Sequence, residues 1–219
     1  MHEPESPAII AITGIVLAGG RSSRMGRDKA SLVFDGETLL QRTVRALAAV
    51  VDEIIVVRAP GASLPAIGAL RASCPIVEVA DPVEGEGPLV GIAAGLEAAR
   101  APVAIVVGVD MPFLQPLLLR LLAERVRAGS RWVLPIAERR PQPLCSAFAR
   151  DALDVLRAHI AAGDRAPMTV AADLGMTRLA PEAWRVADPE GLSFMDVDTP
   201  EDFAAALARL QSGGGAGGR

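Results

Sequence analysis

Short apolar runs alternate with longer segments of mixed polarity over the first two thirds of the chain. Gly14–Leu17, Glu53–Val57, Pro75–Val79, Pro102–Val107 and Trp132–Ile136 have strand length, are rich in Val and Ile, and lack polar alternation. Such runs predict strands covered on both faces, as in a parallel sheet with crossover helices. The intervening segments carry helix signals. Thr38 and Gln41 form a capping-box pattern ahead of an apolar helix to about Val50. Pro88 opens a helix to about Arg100, and the Leu-rich stretch Pro116–Ala128 is stopped at Gly129. The order predicts an α/β fold: a doubly wound, mostly parallel sheet with helices on both faces.

The rhythm changes after Arg140. Leu144–Ala149, a helix near Asp151–Ala161 and a Pro-interrupted stretch to Leu192 predict a C-terminal insertion over one edge of the sheet. Phe194–Val197 reads as an extended segment. A helix follows from Thr199 to about Leu210, started by a cap, a first-turn Pro and an acidic first turn. The expected organisation is one domain over residues 13–210, between an N-terminal tail (1–12) and a flexible Gly-rich tail (211–219).

Composition narrows the chemistry. With 51% hydrophobic and 22% charged residues, a sizeable core is expected. A net charge of −4 argues against a nucleic-acid partner. Cys74 and Cys145 form no C-x-x-C pair, so free thiols in a reducing compartment are expected, rather than zinc or a redox dithiol. The histidines are His2, in the expected tail, and His159, which disfavours a Ser-His-Asp triad or a His-rich metal centre. Catalysis must then rest on carboxylates, cations and backbone groups. No apolar run approaches the ~20 residues of a membrane span. The first residues carry Glu3 and Glu5 instead of the basic start of a signal peptide, so a cytoplasmic location and no membrane partner are expected.

In open α/β sheets, ligands sit beyond the carboxyl ends of the strands, and chemistry-bearing residues follow the predicted strands here. After the first come Gly19, Gly20 and Gly26, with the cations Arg21, Arg24, Arg27 and Lys29. Glycine lets backbone N–H groups approach an anion, and clustered cations suit a triphosphate. Neither the P-loop spacing nor the dinucleotide fingerprint is present, which disfavours a dinucleotide-dependent reductase. After the third strand, Asp81 precedes a glycine-bearing stretch and a helix N-terminus at Gly87-Pro88-Leu89, which offers N–H groups to an anion. A carboxylate at Asp81 also suits the donor edge of guanine. Asp110, in Asp110-Met111-Pro112, follows the fourth strand, where an acid is well placed for Mg²⁺. Asp196 and Asp198 fall on one side of an extended segment.

The run Leu17–Lys29, LAGGRSSRMGRDK, resembles the signature L-A-G-G-x-S-x-R-M-G-x-D-K of molybdenum cofactor guanylyltransferases. The resemblance covers about residues 14–210 and implies a nucleotide-diphospho-sugar-transferase-like fold. It implies nucleotide contacts from Leu17, Ala18, Gly19 and Gly20, with Lys29 on the phosphates. The family's nucleotide Asp and its G-P-L-x-G element match Asp81 and Gly87-Pro88-Leu89-Val90-Gly91. G-P-L is typical of the guanylyl branch. The family's magnesium-binding Asp in D-x-P matches Asp110, which also serves the nucleotide. The closing motif N-x-N-T-P-E matches with Asp at both Asn positions, and Asp198 is the second expected metal ligand.

Arg58 stands where relatives often carry a nucleotide-contacting Asn; base contact and solvent exposure both stay open. Arg139 and Arg140 fall where the family approaches its pterin substrate, or else form a solvated turn. The implied activity is Mg²⁺-dependent transfer of GMP from GTP to the terminal phosphate of molybdopterin, with Lys29, Arg24 and Asp110 as catalytic residues. Transient contact with cofactor-delivery or acceptor enzymes is expected. Because D-x-D-T-P recurs among cytidylyl relatives, a CTP-dependent or other nucleotidyltransferase stays open, as does a non-catalytic GTP-binding regulator.

Overall fold

The computed structural model describes residues 11–19, 28–67, 74–82 and 86–214. The unbroken apolar run Ile12–Leu17 forms β1, with all six residues buried. A tight hairpin of β2 (Val33–Phe34) and β3 (Glu37–Thr38) leads into α1 (Leu39–Ala48). The expected capping box is formed: the Thr38 hydroxyl accepts from the Gln41 N–H, and the Gln41 side chain accepts from the Thr38 N–H. There follow β4 (Glu53–Arg58), β5 (Ile76–Ala80), α2 (Pro88–Ala98), β6 (Val103–Gly108) and α3 (Pro116–Arg127). The later part comprises β7 (Trp132–Ala137), β8 (Arg140–Pro141), β9 (Cys145–Ala149), α4 (Leu153–Ala161), β10 (Thr177–Leu179), α5 (Pro181–Trp184) and α6 (Pro200–Gly214).

The sheet order is β10-β7-β9-β6-β1-β4-β5, with β8 paired to β7. β1 pairs in parallel with β4 and β6, β4 with β5, and β10 with β7. Helices cover both faces. On one, Leu40, Val44 and Leu47 of α1 and Leu118 and Leu122 of α3 pack into the cluster containing Val16, Ile54 and Ile105. On the other, Ile92 and Leu96 of α2 and Leu156 of α4 pack with Ile15, Ile55 and Val106. The expected single-domain, mostly parallel α/β architecture is borne out.

Two expectations need correction. Residues 144–149 do not belong to an insertion over one edge: β9 lies inside the sheet, antiparallel to both β6 and β7. The link from β7 is too short for the crossover that a parallel neighbour requires, so the chain turns back directly. Phe148 then stacks on Trp132 at 5.0 Å between ring centroids. Nor is Phe194–Val197 extended throughout, since Phe194 belongs to a helical turn. Leu192–Phe194 forms one 3-10 turn, and the Val197 N–H donates to the Asp110 carbonyl at 2.9 Å.

β5 ends the sheet, and its Val77 is 46% exposed, unlike the buried strands beside it. α6 continues past Leu210 to Gly214. Cys74 and Cys145 are both free, the latter buried. A small separate core joins the C-terminal segment to the rest: Phe34, Leu39, Phe113, Val197 and Ala206 are buried together. Phe34 meets Phe113 and Phe203 edge-on, at 5.6 and 5.8 Å.

Candidate active site

A cleft of about 400 Å³ opens at the carboxyl ends of β1, β4 and β6, a size suited to a small-molecule ligand. Its base is the turn after β1. The Ala18 N–H donates to the Val57 carbonyl at 2.8 Å, and the Val109 N–H to the Leu17 carbonyl at 3.2 Å. The turn is therefore clamped between the two neighbouring strands. At Gly19 a Cβ would lie 2.9 Å from the Ala59 nitrogen, so a side chain there is excluded by backbone. Gly108 does the same for the acid beyond it: a Cβ would lie 2.5 Å from Asp110 Oδ1. The missing side chain lets the Asp110 carboxylate fold back over the end of β6. Arg42 of α1 donates from Nε to the Pro112 carbonyl at 2.6 Å, which fixes the turn that follows Asp110.

Lys29 heads a 3-10 turn, Lys29–Ser31, capped by Asp28, whose carboxylate accepts from the Ala30 N–H at 3.2 Å. The cap aims Lys29 into the cleft. Its Nζ donates to Asp110 Oδ2 at 2.7 Å and also to Asp198. Burial, the largest single influence on this ammonium, works against its charge, but Asp110 and Asp198 together raise its pKa above the usual lysine value. Lys29 is thus a permanent cation. Asp196 is exposed in area but crowded by its neighbours. Its carboxyl is pushed up to about 7, first by desolvation and then by the negative charges of Asp110 and Asp198. Asp202 caps α6: its carboxylate accepts from the Thr199 N–H at 2.9 Å, and its own N–H donates to the Thr199 hydroxyl at 3.1 Å. Its role is that of a helix-start residue.

Most of the residues singled out in the sequence meet here. Leu17, Ala18, Gly19, Lys29, Asp81, Gly87, Pro88 and Asp110 line the cleft, and Asp198 joins through Lys29. Gly20 and Arg24 lie outside the described residues. Leu89 and Arg58 are placed elsewhere. The Leu89 side chain is fully buried and its N–H donates to the Arg165 carbonyl at 3.2 Å. That N–H of the α2 N-terminus is already satisfied within the protein. Arg58 lies 3.7 Å from Glu78 Oε2 on the edge strand and donates to the Ala59 carbonyl at 3.4 Å. Val57 lines the cleft, so the next side chain along β4 points to the other face. Arg139 and Arg140 are exposed at the β7–β8 hairpin, where Glu138 and Arg139 both hold positive φ.

The sequence reading missed Asp28, Gly108 and Leu144 as parts of the site. Asp28 carries a local signal, an N-cap type residue directly before Lys29. Leu144 and Gly108 are brought in by the β6–β9 pairing, where the Gly108 N–H donates to the Leu144 carbonyl at 2.9 Å.

Among the described residues, no group of three or more His, Cys, Asp or Glu is arranged to hold a metal ion alone. The carboxylates of Asp110 and Asp198 do converge on a single cation, the Lys29 ammonium. That donor set fits a divalent ion that takes its remaining ligands from substrate phosphates and water.

A glycine-bearing turn, a half-buried lysine and convergent carboxylates meet at the strand ends of a mostly parallel sheet, and the fold is that of the nucleotide-diphospho-sugar transferases. Residues 14–177 match the model of the MobA-like NTP transferase domain, and the chain belongs to that family. A Chloroflexus aggregans protein described as a probable molybdenum cofactor guanylyltransferase is 34% identical over 210 residues, covering 93% of this chain and 97% of its own. The crystal structure of molybdopterin-guanine dinucleotide biosynthesis protein A from Archaeoglobus fulgidus aligns with a TM-score of 0.75 at 24% identity, covering 91% of this chain and 99% of that one. A Mycobacterium tuberculosis protein crystallised with manganese aligns with a TM-score of 0.60 at 23% identity, over 90% of this chain and 98% of that one. The family resemblance and the expected nucleotidyltransferase class are borne out. No helix among the described residues is long and apolar enough to cross a membrane.

Proposed function

We propose that this enzyme transfers GMP from GTP to the terminal phosphate of molybdopterin, releasing pyrophosphate and forming the guanine dinucleotide cofactor. The observation that carries the reading is the meeting of Lys29, Asp110 and Asp198 at the mouth of a cleft floored by the Leu17–Gly19 backbone. Asp81, on the far wall, is the acceptor for the guanine donor edge. With the base assigned to Asp81 and the triphosphate to Gly19 and Lys29, Asp110 is the acid assigned to the α-phosphate.

An oxygen of the acceptor phosphate attacks that phosphorus, the bond to the bridging oxygen breaks, and pyrophosphate leaves. A phosphate monoester has its second pKa near ~6, so the nucleophile is already ionised at neutral pH and needs no strong base. The task left to the protein is positioning and charge neutralisation. Lys29 neutralises charge on the departing pyrophosphate, with Arg24 and the Gly20 backbone assigned to the same phosphates. Asp110 and Asp198 would hold Mg²⁺. When bound, the ion supplies charge neutralisation at the transferring phosphate. Gly87 and Pro88 bound the nucleotide side of the cleft. We place the reaction in the cytoplasm, with transient contacts to enzymes that deliver or accept the cofactor.

The test is incubation with GTP, Mg²⁺ and molybdopterin, with the product weighed by mass spectrometry. A GMP adduct with stoichiometric pyrophosphate is expected. Preferential use of CTP, or nucleotide binding without pyrophosphate release, would replace the reading.

A further inference from the structure

The loop after α4 reaches the nucleotide wall of the cleft from a part of the chain far in sequence from the glycine-bearing turn and the Asp110 turn. Three contacts converge at Arg165. Its guanidinium donates through Nε to Glu86, directly before the cleft-lining Gly87. Through Nη1 it donates to the carbonyls of Ile160 and Asp164 at 3.0 and 2.8 Å, at the end of α4. Its own carbonyl accepts from the Leu89 N–H at 3.2 Å, in the first turn of α2. The fit is close: a Cβ at Gly87, where φ is +90°, would stand 2.9 Å from the Arg165 oxygen. Behind this strut, the His159 imidazole bridges Asp164 and Asp173 at 2.7 Å on both ring nitrogens. The loop carrying Arg165 is thereby tied to α4.

We infer that Arg165 is a positioning residue for the nucleotide: it holds Glu86 and so sets the Gly87-Pro88 wall of the cleft, spanning from the C-terminal end of α4 to the N-terminal end of α2. It does not line the cleft itself. Its guanidinium has the geometry the task needs, a planar fork serving a carboxylate and two carbonyls at once; a lysine ammonium is a compact point charge on a flexible stem. Because the wall borders the nucleotide and not the reacting phosphorus, loss of the strut acts on nucleotide binding and spares the chemical step.

The inference rests on the reading that the cleft holds the nucleotide, and the experiment separates the two. Wild-type enzyme is first titrated with GTP and Mg²⁺; absence of binding there would remove the nucleotide reading itself. Arg165→Ala, Arg165→Lys, Glu86→Gln and the Arg165→Ala/Glu86→Gln double variant are then compared in steady-state kinetics. The expected result for Arg165→Ala is a KM for GTP raised about tenfold with kcat within about twofold of wild type. Arg165→Lys should recover only part of the loss, and the double variant should be no worse than Arg165→Ala alone. Glu86→Gln removes one partly exposed carboxylate, so it tests the strut even if Arg165→Ala folds poorly. A wild-type KM in both Arg165→Ala and Glu86→Gln, a fall in kcat at unchanged KM, or additive losses in the double variant would overturn the assignment.

Discussion

The two sides of the cleft are held by different physics. On the β1–β6 side, backbone hydrogen bonds from Ala18 to Val57 and from Val109 to Leu17 clamp the turn after β1, and close approaches at Gly19 and Gly108 leave no room for a side chain. On the side closed by the later chain, Asp198 and Arg165 are placed by ion pairs, a capped helix and the small aromatic core around Phe34. The first side is continuous with the main core and should tolerate almost no change. The second is assembled from partly exposed polar contacts, each modest alone, resting on one small buried aromatic junction, and its polar contacts should yield gradually.

Gly108→Ala and Asp110→Asn put the first side to the test. The added methyl of Gly108→Ala collides with the Asp110 carboxylate, and Asp110→Asn removes its charge. Each should cost on the order of a hundredfold or more in kcat, about 3–4 kcal/mol of barrier, with little change in melting temperature. Near-normal turnover in either would show that the rigid side is dispensable. Next is Phe34→Ala, which empties the aromatic junction on the second side. A loss of about 3–5 kcal/mol in urea unfolding is expected for a buried phenyl, accompanied by weakened metal binding as Asp198 loses its anchor. Unchanged stability would mean that the C-terminal segment is held by something else.

Asp198→Asn is predicted to be milder than Asp110→Asn, about tenfold in kcat at saturating Mg²⁺, because the Asp198 side chain is 53% exposed against 21% for Asp110. Equal losses at the two acids would erase the asymmetry. The His159 bridge adds a pH signature. Hydrogen bonds that its ring N–H groups donate to Asp164 and Asp173 raise this imidazole above its unfolded value of 6.5. A raised pKa contributes stability that is fully present below the unfolded value and is lost as pH rises through the folded one. Urea midpoints taken from pH 6 upward should therefore fall relative to those of His159→Gln, and parallel curves would discard the bridge. The smallest effect is assigned to Arg58→Ala, which should change the KM for GTP by less than about twofold, since Arg58 faces Glu78 and not the cleft.

The same asymmetry decided what the chain disclosed before folding. Unbroken Val/Ile runs announce β1, β4 and β6 because burial on both faces leaves no polar alternation, and the Thr38–Gln41 box is a purely local device. The turn after β1 and the acid after β6 were legible because each directly follows such a run. β9 was misplaced because Cys145–Ala149 is short and made mostly of small residues, and its position is set by its neighbours. Leu89 looked available because an N-terminal helix N–H has no partner within its own helix, and the carbonyl that satisfies it belongs to a distant loop. Arg58 was one residue out of phase with the cleft, a matter of strand facing that the motif alone does not encode. Arg165 gave no local signal at all.

The aromatic junction also has a consequence for biosynthesis. Val197 is buried against Phe34 together with Ala206 of α6, and Phe203 closes the ring pair. The strands, the Lys29 turn and Asp110 are all translated well before these residues emerge. A nascent chain can therefore fold its nucleotide half while still tethered to the ribosome. Asp198 is seated against Lys29 only once α6 has docked on that junction, so full turnover waits on a contact made late in synthesis.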